Sequence, residues 1–506
     1  MARLRTNIVA NYAGQVWQAV MGFAFVPIYL RWLGAESFGL VALMLSLQAV
    51  SQLLDFGAGG AVNRELARRS GGHNDPQSMR DMVRTMEVPI WSLALAVGVA
   101  IWLAAPWIAE QWLRTEHMDP ARTAGAVTLV AVAITTLWPS SFYTNALAGL
   151  EQQARLNLIN SVFATLRNAG VLVVLHWISP TIEAFLLWYA LVGALNSVTL
   201  AIFLWRSLPV GHHRARFRWH EVRTTLKFAG GLFAIVLSGM LLIQLDRLTL
   251  SALRPLSELG YYALAISISA GLGRMVLPMF TAIYPRFSRL YAAGAQDEIA
   301  TLYHYASRLL TAMVASIAAV IAFWGSDVLY LWTGDMVVAE LVYVPMLLLV
   351  AGSAFNGLSI LPYALQLSFG WTSLSIRTNM ALLVLAVPYA IWAVSRFGMI
   401  GAASTWFLAS LFALLVTLPF MHRRLLQGQL SMWFTRAVLP PVGAAVAAAF
   451  VLHLLFPMIP RTASGGLQLV LVSATTLGAA LATDPTARTQ VRSILRHARS
   501  DRSRPA

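Results

Sequence analysis

The chain has 506 residues, 58% of them hydrophobic and only 11% charged, with a mean hydropathy of +0.67 and a formal net charge of +15. A soluble domain carries about 25% charged residues, so this composition excludes one and requires a membrane-embedded chain. Cysteine is absent, which excludes a disulfide framework and thiol chemistry. The positive charge lies mainly in short loops, where it orients a chain in a bilayer rather than binding nucleic acid.

Apolar runs of about 20 residues recur, each long enough to cross a hydrocarbon core of about 30 Å as a helix. They are continuous, unlike the alternating strands of a β-barrel. The expected fold is therefore an all-α integral membrane protein with about 14 transmembrane helices. The spans fall near 8–30, 38–62, 88–109, 123–147, 157–177, 183–205, 226–250, 261–283, 308–331, 342–367, 378–397, 400–420, 437–458 and 466–483. The opening MARLRTNIVANYAG reads as a retained first span, because its apolar run continues to about Leu30 without a convincing cleavage site. An even number of spans puts both termini on one side. The segments on that side then hold 25 arginines and the opposite loops 6, which predicts cytoplasmic termini.

Span 1 carries Asn7, Asn11, Gln15 and Gln18 at helical spacing, one polar stripe. Span 2 repeats the pattern with Gln48, Gln52 and Asp55. The amides serve either as interhelical glue or as cavity lining. Asp55 is open to three readings: counter-ion for an arginine, coupling-ion site, or a group at the interface. In span 5, Arg167 shares a face with Asn160 and either fixes helix packing or faces a cavity. Span 7 lines up Met240, Gln244 and Arg247, with Asp246 adjacent; this pair either lines a cavity or forms a local ion pair near the outer surface. A charge at the centre of a membrane helix costs about 2.5–3.5 kcal/mol on insertion scales, so these groups need partners or water. The helix is expected to break around Arg254-Pro255 and a second to start after Gly260-Tyr261-Tyr262. Span 8 places Ser267, Gly271 and Arg274 on one face, and Arg274 reads as cavity lining or as a packing residue. Pro27, Pro139, Pro278, Pro362 and Pro388 fall within spans, as kinks or as ordinary membrane prolines.

Ser37–Leu43, opening span 2, is echoed by Glu258–Leu264, opening span 8, with Gly, Ala and Leu in register 221 residues apart. Six spans separate the two, so the halves have the same orientation, as in a parallel repeat. This gives an N-terminal six-helix lobe at 1–205, a cytoplasmic linker at 206–225, a second lobe at 226–420, appended helices 13 and 14 at 421–483, and a basic tail at 484–506. Spans 1, 2, 7 and 8 are equivalent pairs with polar stripes, which favours a shared central cavity. No catalytic set, metal-ligand spacing, P-loop or cofactor motif is present, and no outer loop is long enough for a membrane glycan polymerase or ligase. The chain reads as a transporter.

Four stretches, YLRWLGAESFGLVAL at 29–43, LLDFGAGGAVNRELAR at 53–68, QLDRLTLSALRPLSELGYYALA at 244–265 and PRFSRLYAAG at 285–294, resemble the polysaccharide transporter family, the Wzx-type flippases of the multidrug/oligosaccharidyl-lipid/polysaccharide superfamily. The resemblance implies two six-helix lobes around a V-shaped cavity. It also implies transport of undecaprenyl-diphosphate-linked O-antigen, capsule or exopolysaccharide units across the bacterial inner membrane by alternating access, with no cofactor. Its implied partners are the lipid-linked oligosaccharide, membrane lipids, a glycan polymerase and glycosyltransferases. Under it, Arg274, Arg247, Arg167, Asn11, Gln15, Gln48, Gln52 and Gln244 are the candidate substrate-binding residues, and Asp55 and Asp246 the candidate ion-coupling residues. Lipid II is disfavoured as substrate, because span 1 carries no arginine within the membrane. An ion-coupled multidrug exporter of the same superfamily is the rival reading.

Overall fold

The computed structural model describes residues 14–51, 58–70, 76–459 and 462–484; Asn11, Gln52 and Asp55 lie outside the described residues. The described residues are helical almost throughout, with no strand beyond an isolated bridge between Arg114 and Pro255. Among the described residues eleven helices are long and apolar enough to cross a membrane, making this a multi-pass membrane protein. Large apolar side chains such as Trp177 and Val384, 78% and 74% exposed, suit a lipid-facing surface and not water.

Three of the expected proline breaks divide a span into two helices. Span 1 consists of α1 (14–24) and α2 (Val26–Leu33), span 4 of α6 (Pro120–Leu137) and α7 (Pro139–Gly149), and span 10 of α13 (Met336–Leu358) and α14 (Ile360–Ser368). Pro27 and Pro139 sit in the first turn of the second piece, where a missing N–H costs nothing. Spans 4 and 10 are six apart, so the break itself repeats. Pro278 and Pro388, by contrast, lie inside continuous helices, α11 (Leu256–Ala292) and α15 (Ser373–Leu425).

Elsewhere the boundaries move. Helix α11 begins at Leu256, not after Tyr262; Pro255 ends the preceding turn and Glu258 supplies a first-turn carboxylate. Span 3, α5 (Pro76–Trp107), starts twelve residues before its apolar run. That polar prefix carries Met79, Met82, Val83 and Met86 at helical spacing, with Ile90 one turn further on in the apolar run. They pack with Val62 and Leu66 of α4 (Ala58–Ser70), with Phe142 and Tyr143 of α7, and with Leu200 and Leu204 of α9 (Ile182–Ser207). Spans 11 and 12 are the two halves of α15, interrupted at Gly398, whose φ of +53° favours glycine.

The chain forms two compact units. One comprises Met1–Ala263 with Val394–Met399, the other Leu264–Ala393 with Ile400–Ala506. In the first unit the repeated motifs meet. A Cβ on Gly39 of α3 (Ala35–Ser51) would overlap the carbonyl oxygen of Leu256, and one on Gly260 would overlap that of Ala35. Each glycine thus faces the carbonyl four residues before its counterpart, a reciprocal contact that only residues without side chains permit. A clasp of loops lies beside it, on the arginine-poor side. Glu36 accepts hydrogen bonds from the backbone N–H groups of Glu116 (2.8 Å) and His117 (3.0 Å), and Ser257 donates to Glu116 (3.0 Å). Leu256 N donates to Arg114 O, and Arg254 pairs with Glu258 against Gly398.

In the second unit α12 (Gln296–Thr333) carries α16 (Leu439–Leu455) and α17 (Ala463–Leu481). Trp324 Nε1 donates to Phe456 O at 2.9 Å, Ile459 N donates to Asp327, and Arg308 reaches Asp484 at 3.7 Å. The appended spans 13 and 14 are therefore fastened at both ends of span 9.

Candidate functional site

Helix α10 (Trp219–Leu253) delivers Gln244, Asp246 and Arg247 in its last three turns, and the break at Arg254-Pro255 folds α11 back toward them. Gln244 is 2% exposed and Asp246 4%. One Asp246 oxygen accepts the backbone N–H of Arg247 at 2.8 Å, and the other accepts the hydroxyl of the fully buried Tyr262 at 2.6 Å. The guanidinium of Arg247 donates to Gln244 Oε1 at 2.9 Å, while its Nε has no hydrogen-bond partner. The Arg247 guanidinium makes no contact with the Asp246 carboxylate within 4 Å, and each of the two charges has its own side-chain partner. Hydrogen bonds to charged groups contribute about 1.5–3 kcal/mol each. Two of them offset an insertion cost of about 2.5–3.5 kcal/mol for an intramembrane carboxylate. The arrangement leaves a permanent cation with an unsatisfied N–H beside a carboxylate held only by donors.

Arg167 of α8 (Gln153–Trp177) lies in another cluster of the same unit. Its guanidinium sits 5.5 Å from the Tyr189 ring, and its Nε also lacks a partner. Tyr189 stacks on Phe185, Phe185 meets Tyr29 edge-on, and Tyr29 donates to Asn168 O at 2.6 Å. Trp17 of α1 donates to Thr165 at 2.8 Å. Spans 1, 5 and 6 thus gather an arginine, four aromatics and amide or hydroxyl groups in one place. Gln15 is exposed and Gln48 half-buried. In the second unit Arg274 is exposed in the middle of α11 and makes no ion pair among the described residues.

Three features escaped the sequence reading. Tyr262, expected only to precede a helix start, supplies a hydroxyl to Asp246. Glu36, directly before the repeat, serves the loop clasp. Glu87 is buried and accepts from Tyr143 (2.6 Å), Trp205 (3.3 Å) and Arg84 (3.0 Å). An acidic residue directly before the apolar run at 88–109 was a visible signal for this last network.

Comparison with known proteins bears out the resemblance. A family model described as "Polysaccharide biosynthesis protein" matches residues 4–291. A Shigella flexneri protein named "Putative O-antigen transporter" is 20% identical over 403 residues, covering 79% of this chain and 93% of that protein. Among solved structures, the lipid II flippase MurJ in an inward closed conformation is similar with a TM-score of 0.71 at 12% identity, over 93% of this chain and 96% of that one. An inward-facing multidrug resistance MATE transporter of the MOP superfamily gives 0.67 at 15% identity, over 80% and 95%. With the fold shared across those transporters and the family match spanning more than half its length, the chain belongs to the polysaccharide biosynthesis protein family.

Proposed function

We propose that this protein is a flippase that moves an undecaprenyl-diphosphate-linked oligosaccharide, a repeat unit of O-antigen, capsule or exopolysaccharide, from the inner to the outer leaflet of the bacterial cytoplasmic membrane by alternating access. The observation that carries this reading is Arg274, an exposed guanidinium in the middle of an apolar helix with no ion pair among the described residues. A permanent cation at that depth calls for an anionic partner, and a planar fork suits a diphosphate. Arg247 and Arg167, each with an unsatisfied Nε, supply further donors. Gln15, Gln48 and Gln244, with Asn11 and Gln52, are the candidate amide partners for sugars. Asp246 is the candidate coupling carboxylate, with Asp55 as the other.

The test is surface glycan in a deletion strain complemented at equal expression. Arg274→Ala and Arg274→Lys should both lower it at least tenfold, the lysine because it lacks the bidentate geometry. Normal glycan from both variants would remove Arg274 from the site. Reconstituted protein separates the enzymatic alternative, since a polymerase or ligase would change the glycolipid covalently and a flippase only its leaflet.

A further inference from the structure

The segment joining spans 6 and 7 is not a slack tether. After α9 ends at Ser207, residues 214–218 run extended along the polar prefix of α5. Gln77, Asp81 and Thr85 lie four residues apart on that helix and form one stripe. Gln77 donates to Arg214 O (3.5 Å) and accepts from His213 N (3.1 Å). Asp81 accepts from Arg216 N at 2.9 Å, and Thr85 from Arg218 N at 2.9 Å. Arg80 donates to Pro209 O, and the Arg218 guanidinium pairs with Asp81 at 2.6 Å. Four helical residues rise about 6.0 Å and two extended residues about 6.6 Å, so the stripe reads the strap like a neighbouring strand.

This fixes what the strap presents. Extended side chains alternate, so Arg214, Arg216 and Arg218 share one face while Ala215 and Phe217 take the other. Arg218 is committed to Asp81, but Arg214 and Arg216 are exposed and form no ion pair among the described residues. Phe217 is 45% and Trp219 68% exposed. Their depth is set by Thr85, which holds Arg218 three residues before the apolar run of α5 begins at Val88, a distance of about 4.5 Å along the helix. That is headgroup level, where tryptophan and tyrosine concentrate.

We propose that residues 209–219 form a docking surface for anionic phospholipid headgroups, with Arg214 and Arg216 gripping phosphates and Phe217 and Trp219 seated in the interface. The spacing favours a field of separate charges over a single diphosphate: the two free guanidiniums sit on alternate residues of a strap held by its backbone, and neither joins the pair that Arg218 makes with Asp81. The aromatic side chains need an apolar cover that only a bilayer supplies at that depth. Basic residues near a membrane surface attract anionic lipid headgroups. The proposal does not depend on what the protein transports.

The test uses the full-length protein in a neutral detergent, titrated in parallel with phosphatidylglycerol, phosphatidylcholine and inorganic diphosphate at fixed ionic strength. Thermal unfolding and the number of lipids retained in native mass spectrometry are both read. Phosphatidylglycerol should raise the unfolding temperature of the wild type and phosphatidylcholine should not. Arg214→Gln/Arg216→Gln should lose at least half of that rise and retain fewer phosphatidylglycerol molecules, while unfolding as the wild type does in detergent alone. Trp219→Ala should weaken retention as well. An unchanged lipid response in the double variant overturns the proposal. So does an Arg214- and Arg216-dependent response to inorganic diphosphate but not to phosphatidylglycerol, which would make the strap a loading site for a diphosphate lipid instead.

Discussion

Asp246 is a buried carboxylate with one donor from its own helix and one from across a helix break. Its oddity in an apolar helix was legible from composition alone, and so was its neighbour Arg247. Its actual partner, Tyr262, was not, because sixteen residues and a helix break separate the two and no periodicity spans a break. Tyr262→Phe deletes one of two donors to a buried carboxylate and should cost about 1–3 kcal/mol, read as a lower unfolding temperature in detergent. Asp246→Asn keeps a hydrogen-bond acceptor for the phenol and should unfold closer to the wild type while losing any ion dependence of transport. Equal stability of Tyr262→Phe and wild type would contradict the buried contact. Glu65, on the membrane-flanking helix α4, gives a pH-dependent counterpart. Hydrogen bonding to Arg68, and then to Arg69, holds its carboxyl down at about 2. A depressed folded-state pKa means that the stabilisation is present above the ordinary carboxylate range and is lost as pH falls through the folded value. The gap in unfolding temperature between wild type and Glu65→Gln should therefore be constant from pH 8 to about 5 and narrow below that. A gap that widens on acidification would reverse the assignment.

Among the helices, the repeat was visible as a seven-residue echo, but an echo says only that two stretches are alike. That Gly39 and Gly260 face each other's helices is a tertiary fact, and it explains why glycine stands at both places. Gly39→Ala and Gly260→Ala each drive a methyl into a backbone carbonyl, and overpacking of this kind costs about 1–3 kcal/mol. The two variants share one contact, so the double variant should lose less than the sum. Gly273, in the same helix α11 with nothing near its Cβ position, provides the contrast: Gly273→Ala should be neutral or gain up to about 1 kcal/mol in helix propensity. Thermal unfolding of the four proteins decides the matter. The three span-splitting breaks were legible because proline announces itself. The early start of α5 was not, since a half-polar prefix looks like a loop until α4, α7 and α9 supply the core it packs into.

For the molecule as a whole, length and hydropathy were enough for the helical membrane fold, because hydrocarbon admits so few backbone solutions. They could not say which side chains meet, and so the site reading remained a set of stripes. Orientation rests on the 25-to-6 arginine bias, and it can be measured directly because the chain has no cysteine. His212→Cys in the strap should react with a membrane-impermeant maleimide only after the cells are permeabilised. Val337→Cys, 76% exposed at the start of α13, should react in intact cells. The opposite labelling pattern would invert the direction proposed for transport.

The strap on α5 also carries its own length limit. Two extended residues outrun four helical ones by about 0.6 Å, and a stripe at four-residue spacing turns about 40° around its helix with each step. Like the scales of a vernier, strand and helix coincide over only a few divisions. Arg214, Arg216 and Arg218 occupy three of them, and a fourth would fall about 2 Å and 120° out of phase with the first, beyond the reach of a hydrogen bond. The extended run has to end where it does, and α10 begins at the next residue. A one-residue insertion between Gln77 and Asp81 would therefore shift the graduations by about 100° and release the strap, although it removes no side chain.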